Sequence, residues 1–437
     1  MTDTAPALGA RDVLRIPDFR RLWLAQGISD IGDGLTLLTV MLLVNQLTGS
    51  TLALAAVSIA LAIPPLTIGL VAGTYADRVD RRRLMVVSDV LRAIVVLGFV
   101  VVGTADLVPL LIVLAFIQAS IGTFFNPARG ALVPRIVPPE GLLAANSISQ
   151  ATRVIAGVIG AALAGLIVGV AGLTWPAFAL DAVTFLVSAA IVLRVAAEAG
   201  RPSRAEAVAQ AGTRSALAEG LRIVAGSRLL YTTLLALAIS MLGLGAVNLL
   251  FLPLIVDVLE VSPVWLGAVD IAQSASMIMA AGIVAVLAAR FRPTSIITVG
   301  IVAAGILIGL CGAVTEIWQV LVLLFAIGWF ITPLQAAIVT IMQTNVPDAA
   351  RGRVMSTLQA AMSGASVTSV ALAGIFGDIL GIREVFFVGA VIVVGGGLLS
   401  GLLYRGASAS SPAAATGEAP DSTRPGVAPG LEEALRS

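Results

Sequence analysis

The chain contains no lysine and no histidine, and all 26 of its basic residues are arginine. ATP hydrolysis at a P-loop and a Schiff base to retinal or pyridoxal phosphate each need a lysine. Zinc and haem sites in helical bundles usually use histidine, so we expect no metal and no cofactor. The single cysteine, Cys311, has no partner for an internal disulfide. These absences argue against an enzyme and against a light-driven or ATP-driven pump.

Charge is also scarce. Charged residues make up 12% of the chain and apolar residues 58%, whereas soluble domains have roughly 25% and about 45–50%. A stretch of about 20 apolar residues crosses a hydrocarbon core of roughly 30 Å. Such stretches predict an all-α membrane protein with twelve transmembrane helices, at approximately 22–45, 52–75, 84–104, 107–126, 148–171, 174–194, 229–256, 264–289, 295–313, 317–343, 355–377 and 384–404.

The loop arginines predict the orientation of these helices. With the N-terminus in the cytoplasm, almost all of them lie on the inner side, including the cluster from Arg78 to Arg83, and Arg383 is the exception. The positive-inside rule favours this arrangement. We therefore expect a multi-pass protein of the inner (plasma) membrane with both termini in the cytoplasm.

An internal duplication organises the chain. Ile28–Gly34 returns about 210 residues later as Ile239–Gly245, with both aspartates replaced by apolar residues. Two sequence-parallel halves of six helices are typical of transporters that rock around a site near the membrane midplane. The predicted parts are a cytoplasmic N-terminal segment at 1–21, a first bundle at 22–194, a cytoplasmic linker at 195–228, a second bundle at 229–405 and a disordered cytoplasmic tail at 406–437.

Asp30 and Asp33 occur only in the first copy of the repeat, so the helix packing that both copies share does not explain their presence. They are three residues apart and share one helical face. Inserting either as an anion costs about 2.5–3.5 kcal/mol, and their mutual repulsion disfavours two ionised carboxylates. We therefore predict that Asp33 carries a proton during transport, and that Asp30 shares this role or binds a cationic substrate. The alternative is that both acids hydrogen-bond neighbouring helices and only fix packing.

Other polar residues fall inside predicted spans. Asp181 has no nearby cation in the sequence and is the next candidate for coupling. Asp89 and Arg92 are one helical turn apart and are expected to neutralise each other. Further intramembrane polar residues include Arg153 and Asp270. The candidates for lining the substrate cavity are Gln118, Asn248 and Gln273.

The loop between the second and third predicted spans carries a small residue, an acid and a basic cluster. Its residues fit the pattern Gly-x-x-x-Asp-Arg-x-Gly-Arg-Arg except that Asp80 replaces the second glycine, and the matching positions are Gly73, Asp77, Arg78, Arg81 and Arg82. In this pattern the chain resembles the major facilitator superfamily over about 15–405. The resemblance implies a cytoplasmic gate in which Gly73 admits a close helix and Asp77 binds a helix start and an arginine. For Arg82, ordinary positive-inside anchoring is an equal alternative.

Runs flanking the fourth and fifth spans narrow the resemblance. Asn126–Arg129, Val133-Pro134 and Ala145–Ser147 are similar to the macrolide-efflux and enterobactin-exporter branch, whose members are implied to be drug:proton antiporters. Two positions differ from the common antiporter pattern: Gln118 stands in place of an arginine, and Gly160 is followed by alanine instead of proline.

These features predict a secondary exporter of amphipathic or cationic organic compounds, of the multidrug or macrolide type, in antiport with protons. Its expected partners are a small-molecule substrate, protons and the lipid bilayer, with no nucleic acid, and the expected state is a monomer. One alternative is export of an endogenous metabolite such as a siderophore or lipid. A non-transporting membrane sensor or scaffold is a less favoured alternative, and a channel is disfavoured because no filter-like loop repeats.

Overall fold

A computed structural model of the chain describes residues 8–76, 78–196 and 213–409. Across these ranges the chain forms helices joined by short turns, and no β-strand occurs in them. The helices are α1 (Ala10–Arg15), α2 (Pro17–Thr48), α3 (Thr51–Thr67), α4 (Gly69–Ala76), α5 (Arg81–Phe99), α6 (Val108–Ile136), α7 (Leu142–Ala171), α8 (Trp175–Val192), α9 (Thr213–Gly226), α10 (Arg228–Pro253), α11 (Val264–Arg290), α12 (Pro293–Cys311), α13 (Ile317–Asn345), α14 (Asp348–Leu380) and α15 (Ile382–Ala409).

Ten helices within the described ranges are long and apolar enough to cross a membrane. They coincide with ten of the twelve predicted segments. The predicted second segment falls on α3 and α4, which are separate helices. Pro64 and Pro65 lie just before the break, where each removes a backbone hydrogen-bond donor. The predicted third segment falls on α5, whose apolar length is interrupted by Asp89 and Arg92.

Part of the predicted linker is ordered as a helix. Residues 213–226 form α9, which packs against α14, and Arg353 of α14 donates to the Glu219 carboxylate. Residues 197–212 lie outside the described residues. The last helix, α15, continues to Ala409 and so covers the first four residues of the predicted tail. The rest of 406–437 lies outside the described residues.

Helix packing follows the same pattern in the first and second groups of helices. In the first group, α2 packs against α7 and α8, α5 against α6 and α8, and α3 against α6. In the second group, α10 packs against α14 and α15, α12 against α13 and α15, and α11 against α13. The two groups meet through α3 with α14 and α7 with α11. We call this junction the seam.

The seam contacts concentrate at one end of the bundle, which we call the Gly49 end because it holds the α2–α3 turn at Gly49. There Gly374 faces Leu52 and Ala55 across the seam, and Gly267 faces Ala162. Small residues allow helix backbones to approach closely, which favours association inside a membrane. The opposite end, which holds the loop after α4, is called the Arg78 end.

Close backbone contact also joins α2 to α7. A Cβ added at Gly160 would lie 2.3 Å from the Ile31 carbonyl oxygen and 2.7 Å from the Leu35 nitrogen. Backbone atoms of a packed helix cannot move aside as a side-chain tip can. At Gly157, less than one turn away on α7, an added Cβ would meet no atom within 4 Å.

Gly160→Ala should therefore destabilise the protein by about 1–3 kcal/mol or more, the usual cost of overpacking a core. The measurement is thermal unfolding of the purified protein in detergent. Gly157→Ala is the matched control, and its melting temperature should stay close to wild type. Equal melting temperatures for the two variants would show that α2 and α7 are not in this contact.

Candidate functional site

An arginine inside the first group of helices is shared by two acids. Arg92 of α5 donates through Nη2 to Oδ1 of Asp33 on α2, and its Nη1 lies 4.0 Å from Oδ1 of Asp89. The guanidinium also stacks 4.1 Å from the centre of the Phe185 ring on α8. Arginine suits this position because its planar head pairs with carboxylates and stacks on aromatic rings.

The two acids differ in their access to the surroundings. Asp89 is fully buried and accepts a 2.7 Å hydrogen bond from the Ser188 hydroxyl. The Asp33 side chain is 41% exposed and faces a cavity. Arg92 thus pairs with one acid that is buried and with one that is exposed to a cavity. The sequence predicts the pairing of Arg92 with its neighbour Asp89. It does not predict the second pairing, with Asp33.

Asp181 is placed behind α2 in a closed site. It is fully buried, and its carboxylate accepts hydrogen bonds from Thr36 at 2.5 Å and Thr184 at 3.0 Å. Gly32 of α2 makes room for it, because a Cβ there would lie 2.0 Å from Oδ1 of Asp181. This carboxylate therefore joins α2 to α8.

A cavity of about 460 Å³ lies beside Asp33 toward the Arg78 end, and we call it the charged cavity. Asp30 is half-buried on its wall, and Arg129 donates a 3.3 Å hydrogen bond there to the Gln26 amide oxygen. The ionisable residues on its wall are Asp30, Asp33, Arg92, Arg129 and Arg153. The predicted coupling acids Asp30 and Asp33 therefore face the same space.

A second cavity of about 640 Å³ lies between the two groups of helices, and we call it the seam cavity. Its volume is in the range of drug-sized ligand sites, which are largely apolar with a few polar groups. The lining is mainly apolar, and its polar side chains are Ser58, Arg153, Asn248, Asp270, Gln273, Ser274 and Ser366. Arg153 lines both cavities.

The three predicted cavity residues are placed differently. Asn248 and Gln273 line the seam cavity. Gln118 is buried in α6, and neither end of its amide has a hydrogen-bond partner among the described residues. Sequence reasoning noted Arg153 and Asp270 as intramembrane residues but did not place them in a cavity. The sequence did contain a signal for this placement, because both are charged residues in apolar segments without an opposite charge one turn away.

The predicted gate residues lie at the Arg78 end. Arg81 is buried and donates to the Ala131 carbonyl at 3.2 Å, and Arg82 donates to the Leu193 carbonyl. A Cβ at Gly73 would meet no atom within 4 Å, so none of the described helices packs closely against Gly73. Asp77 lies outside the described residues. Arg78 follows it in a turn, where its backbone N–H donates to the Tyr75 carbonyl.

The profile of a family described as transmembrane secretion effector matches residues 9–415. The chain belongs to this family of the major facilitator superfamily. A multidrug efflux pump, Tap, of Mycobacterium tuberculosis is 29% identical over 380 residues, covering 84% of this chain and 89% of the pump. Macrolide efflux protein A of Streptococcus pyogenes is 24% identical over 383 residues, covering 86% and 93%. The resemblance to the macrolide-efflux branch is thereby confirmed.

Solved structures of transporters share the fold of this chain. The nucleoside transporter NupG superposes with a TM-score of 0.68 at 14% identity, covering 89% of this chain and 99% of NupG. A bacterial homologue of the iron transporter ferroportin, in an inward-facing state, gives 0.70 at 15% identity, covering 91% and 99%. The family match and the efflux pumps similar to this chain make it a multi-pass membrane transporter that acts on small molecules.

Arg92→Gln should destabilise the protein by about 3–5 kcal/mol, because it leaves the buried Asp89 carboxylate without its cation. The measurement is thermal unfolding in detergent. Arg129→Gln is the control and should shift the melting temperature far less, since Arg129 binds a neutral amide. Adding Asp89→Asn to Arg92→Gln should recover part of the loss. No recovery would show that the stranded carboxylate is not the cause.

Proposed function

We propose that the protein exports amphipathic organic compounds from the cell by alternating access, in exchange for protons. The observation that carries this proposal is the seam cavity, which is enclosed between two similarly packed groups of helices. The efflux pumps among its relatives support the direction of transport. The cavity is formed within one chain, so a monomer suffices for this activity.

In the proposed architecture α3 with α4 and α5 also cross the membrane, giving twelve spans in two pseudo-symmetric halves. The repeated packing pattern of the two groups supports this symmetry. In the proposed orientation the Arg78 end and both termini lie in the cytoplasm, which the positive-inside rule favours for the loop arginines. The Gly49 end is then the outer end. Because the halves meet at that end, the arrangement corresponds in this proposal to an inward-facing state.

The outer closure uses carboxylates that bind neutral donors across the seam. Asp378 of α14 accepts hydrogen bonds from the Ser50 hydroxyl, the Thr51 nitrogen and the Thr51 hydroxyl, each at 2.7 Å, and from the Leu52 nitrogen at 3.3 Å. An acid at a helix N-terminus is favourable because the first N–H groups of a helix lack partners. Asp378 thus caps α3 from the other half.

A second contact strengthens the same closure. The Asn45 amide of α2 donates to both oxygens of Asp257, at 2.9 and 3.0 Å. All these contacts must break before the cavity opens outward. We therefore propose that they form the outer gate, and that Asp77 with Arg78 and Arg81 closes the inner end in the opposite state. Gly374 and Asp378 have the same four-residue spacing as Gly73 and Asp77.

Asp33 is the proposed coupling acid. It faces the charged cavity, and its partner Arg92 has a second acid 4.0 Å away. Protonation of Asp33 would release Arg92 to Asp89 and would not leave a buried cation uncompensated. Asp30 lies on the same wall and would pass protons to and from the cavity. Asp181, held by two threonines, would fix the position of α2 during this exchange.

The outer gate can be tested by access to the seam cavity from outside. In a Cys311→Ser background, Ser58→Cys places a reporter thiol on the cavity wall. Asp378→Ala removes four hydrogen bonds across the seam and should raise labelling by an impermeant maleimide in right-side-out vesicles several-fold.

The control for this experiment is Asp106→Ala. Asp106 is exposed at the same end of the bundle and forms no hydrogen bond or ion pair with another described residue. Its labelling should equal that of the parent. Unchanged labelling in Asp378→Ala would contradict an outer gate at this position.

Proton coupling can be tested in proteoliposomes loaded with a fluorescent amphipathic dye. Acidifying the outside should accelerate dye exit several-fold in wild type, because proton entry drives substrate exit. Asp33→Asn should remove this acceleration, whereas the exposed Asp106→Asn should keep it. If Asp33→Asn responds to the gradient as wild type does, Asp33 is not the coupling acid.

A further inference from the structure

Arg153 stands apart from the other arginines of the two cavities. It lies on α7 and forms no hydrogen bond or ion pair with another described residue, and its buried Nε has no partner there. Arg92, by contrast, has two acids, and Arg129 has the Gln26 amide oxygen. Arg153 is also the residue that lines both the charged cavity and the seam cavity.

The acids close to Arg153 have other cations beside them. Asp33 pairs with Arg92, which also lies 4.0 Å from the buried Asp89. Of the remaining ionisable groups on the charged-cavity wall, Asp30 faces two cations, Arg129 and Arg153. An arginine taken out of bulk water needs an anion or hydrogen-bond acceptors to offset its lost hydration. Arg153 forms neither kind of contact with a described residue, so it is placed to bind an anion that enters either cavity.

An acid without a partner lines the opposite wall. Asp270 of α11 faces the seam cavity and forms no hydrogen bond or ion pair with another described residue. Because Gly267 lies against Ala162, Asp270 is level with the part of α7 near residue 159. Arg153 is then about 9 Å further toward the Arg78 end, at 1.5 Å of helix rise per residue.

The wall between these two charges is apolar on the α7 side, where Val154 and Val158 line it. On the α11 side Gln273 and Ser274 add polar groups. A ligand that reaches both charges therefore carries an anionic group at one end, a cationic group at the other and a body between them with one apolar face. A purely cationic compound would leave Arg153 without a partner.

We propose that the transported compounds are zwitterionic amphiphiles, whose carboxylate-type oxyanion binds Arg153 and whose cationic group binds Asp270. This inference rests on the proposed export function and names the substrate class of its cavity. Arg153 belongs to the first group of helices and Asp270 to the second, so such a substrate joins the halves across the seam. It also revises the expectation that a cationic substrate binds Asp30.

Two dyes with the same body test the proposal. Rhodamine B carries a carboxylate and a delocalised cation, and its ethyl ester keeps the cation alone. Binding to the purified protein in detergent is measured by fluorescence anisotropy. Wild type should bind rhodamine B about tenfold or more tighter than the ester, the usual effect of one charge-assisted contact in a desolvated site.

Variants separate the two contacts. Arg153→Gln should remove the preference for rhodamine B and leave binding of the ester nearly unchanged, and Arg153→Lys should keep part of the preference. Asp270→Asn should weaken both dyes by a similar factor and keep their ratio. Arg292→Gln, which removes an arginine exposed at the Arg78 end, is the charge-matched control and should behave as wild type. Gel filtration checks that each variant is folded.

The outcomes separate the zwitterion assignment from the proposed export function. Equal binding of both dyes, or a preference that survives Arg153→Gln, overturns the zwitterion assignment and leaves amphipathic export standing. Failure of wild type to bind either dye contradicts both the assignment and the proposed export function. If the preference for rhodamine B also disappears in Arg292→Gln, it depends on the overall charge of the protein. That result would overturn the assignment as well.

Discussion

The placement of Arg92 between a sealed and an open carboxylate is the constraint on which the first group of helices depends. A buried acid in an apolar bundle is stable only with a cation or several donors. Arg92 meets that need for Asp89, and in doing so it joins α2, α5 and α8 through Asp33, Phe185 and Ser188. Because Asp33 also faces a cavity, the same contact that holds these helices together is accessible to protons.

Contacts within a group of helices differ in kind from contacts across the seam. Inside the first group, α2 meets α7 and α8 through glycines that place backbone and buried groups in direct contact. Across the seam at the Gly49 end, Asp378 and Asp257 accept hydrogen bonds from hydroxyl, amide and backbone donors. Water can replace such neutral donors at a surface when the halves separate. The proposed rocking motion therefore needs rigid groups and a seam that opens without stranding a charge.

Much of the fold could be predicted from the sequence because the bilayer imposes long apolar segments. Ten predicted segments coincide with long apolar helices, and the loop pattern around Arg81 pointed to the superfamily. The break between α3 and α4 was missed, although Pro64 and Pro65 mark it. The site was less predictable. The spacing of Asp30 and Asp33 placed them on one face, but the contact of Arg92 with Asp33 spans 59 residues and that of Asp181 with Thr36 spans 145. Residue spacing within α7 or α11 does not tell which face lines a cavity, so Arg153 and Asp270 needed the structure.

We propose above all that proton exchange at Asp33 is coupled to substrate binding in the seam cavity, with Arg92 moving between its two acids. The most direct test measures protons released when a zwitterionic dye binds the purified protein in weakly buffered detergent. The account predicts proton release on binding to wild type, and binding without release in Asp33→Asn. Binding to wild type with no change in bound protons, or equal release from the variant, would contradict it.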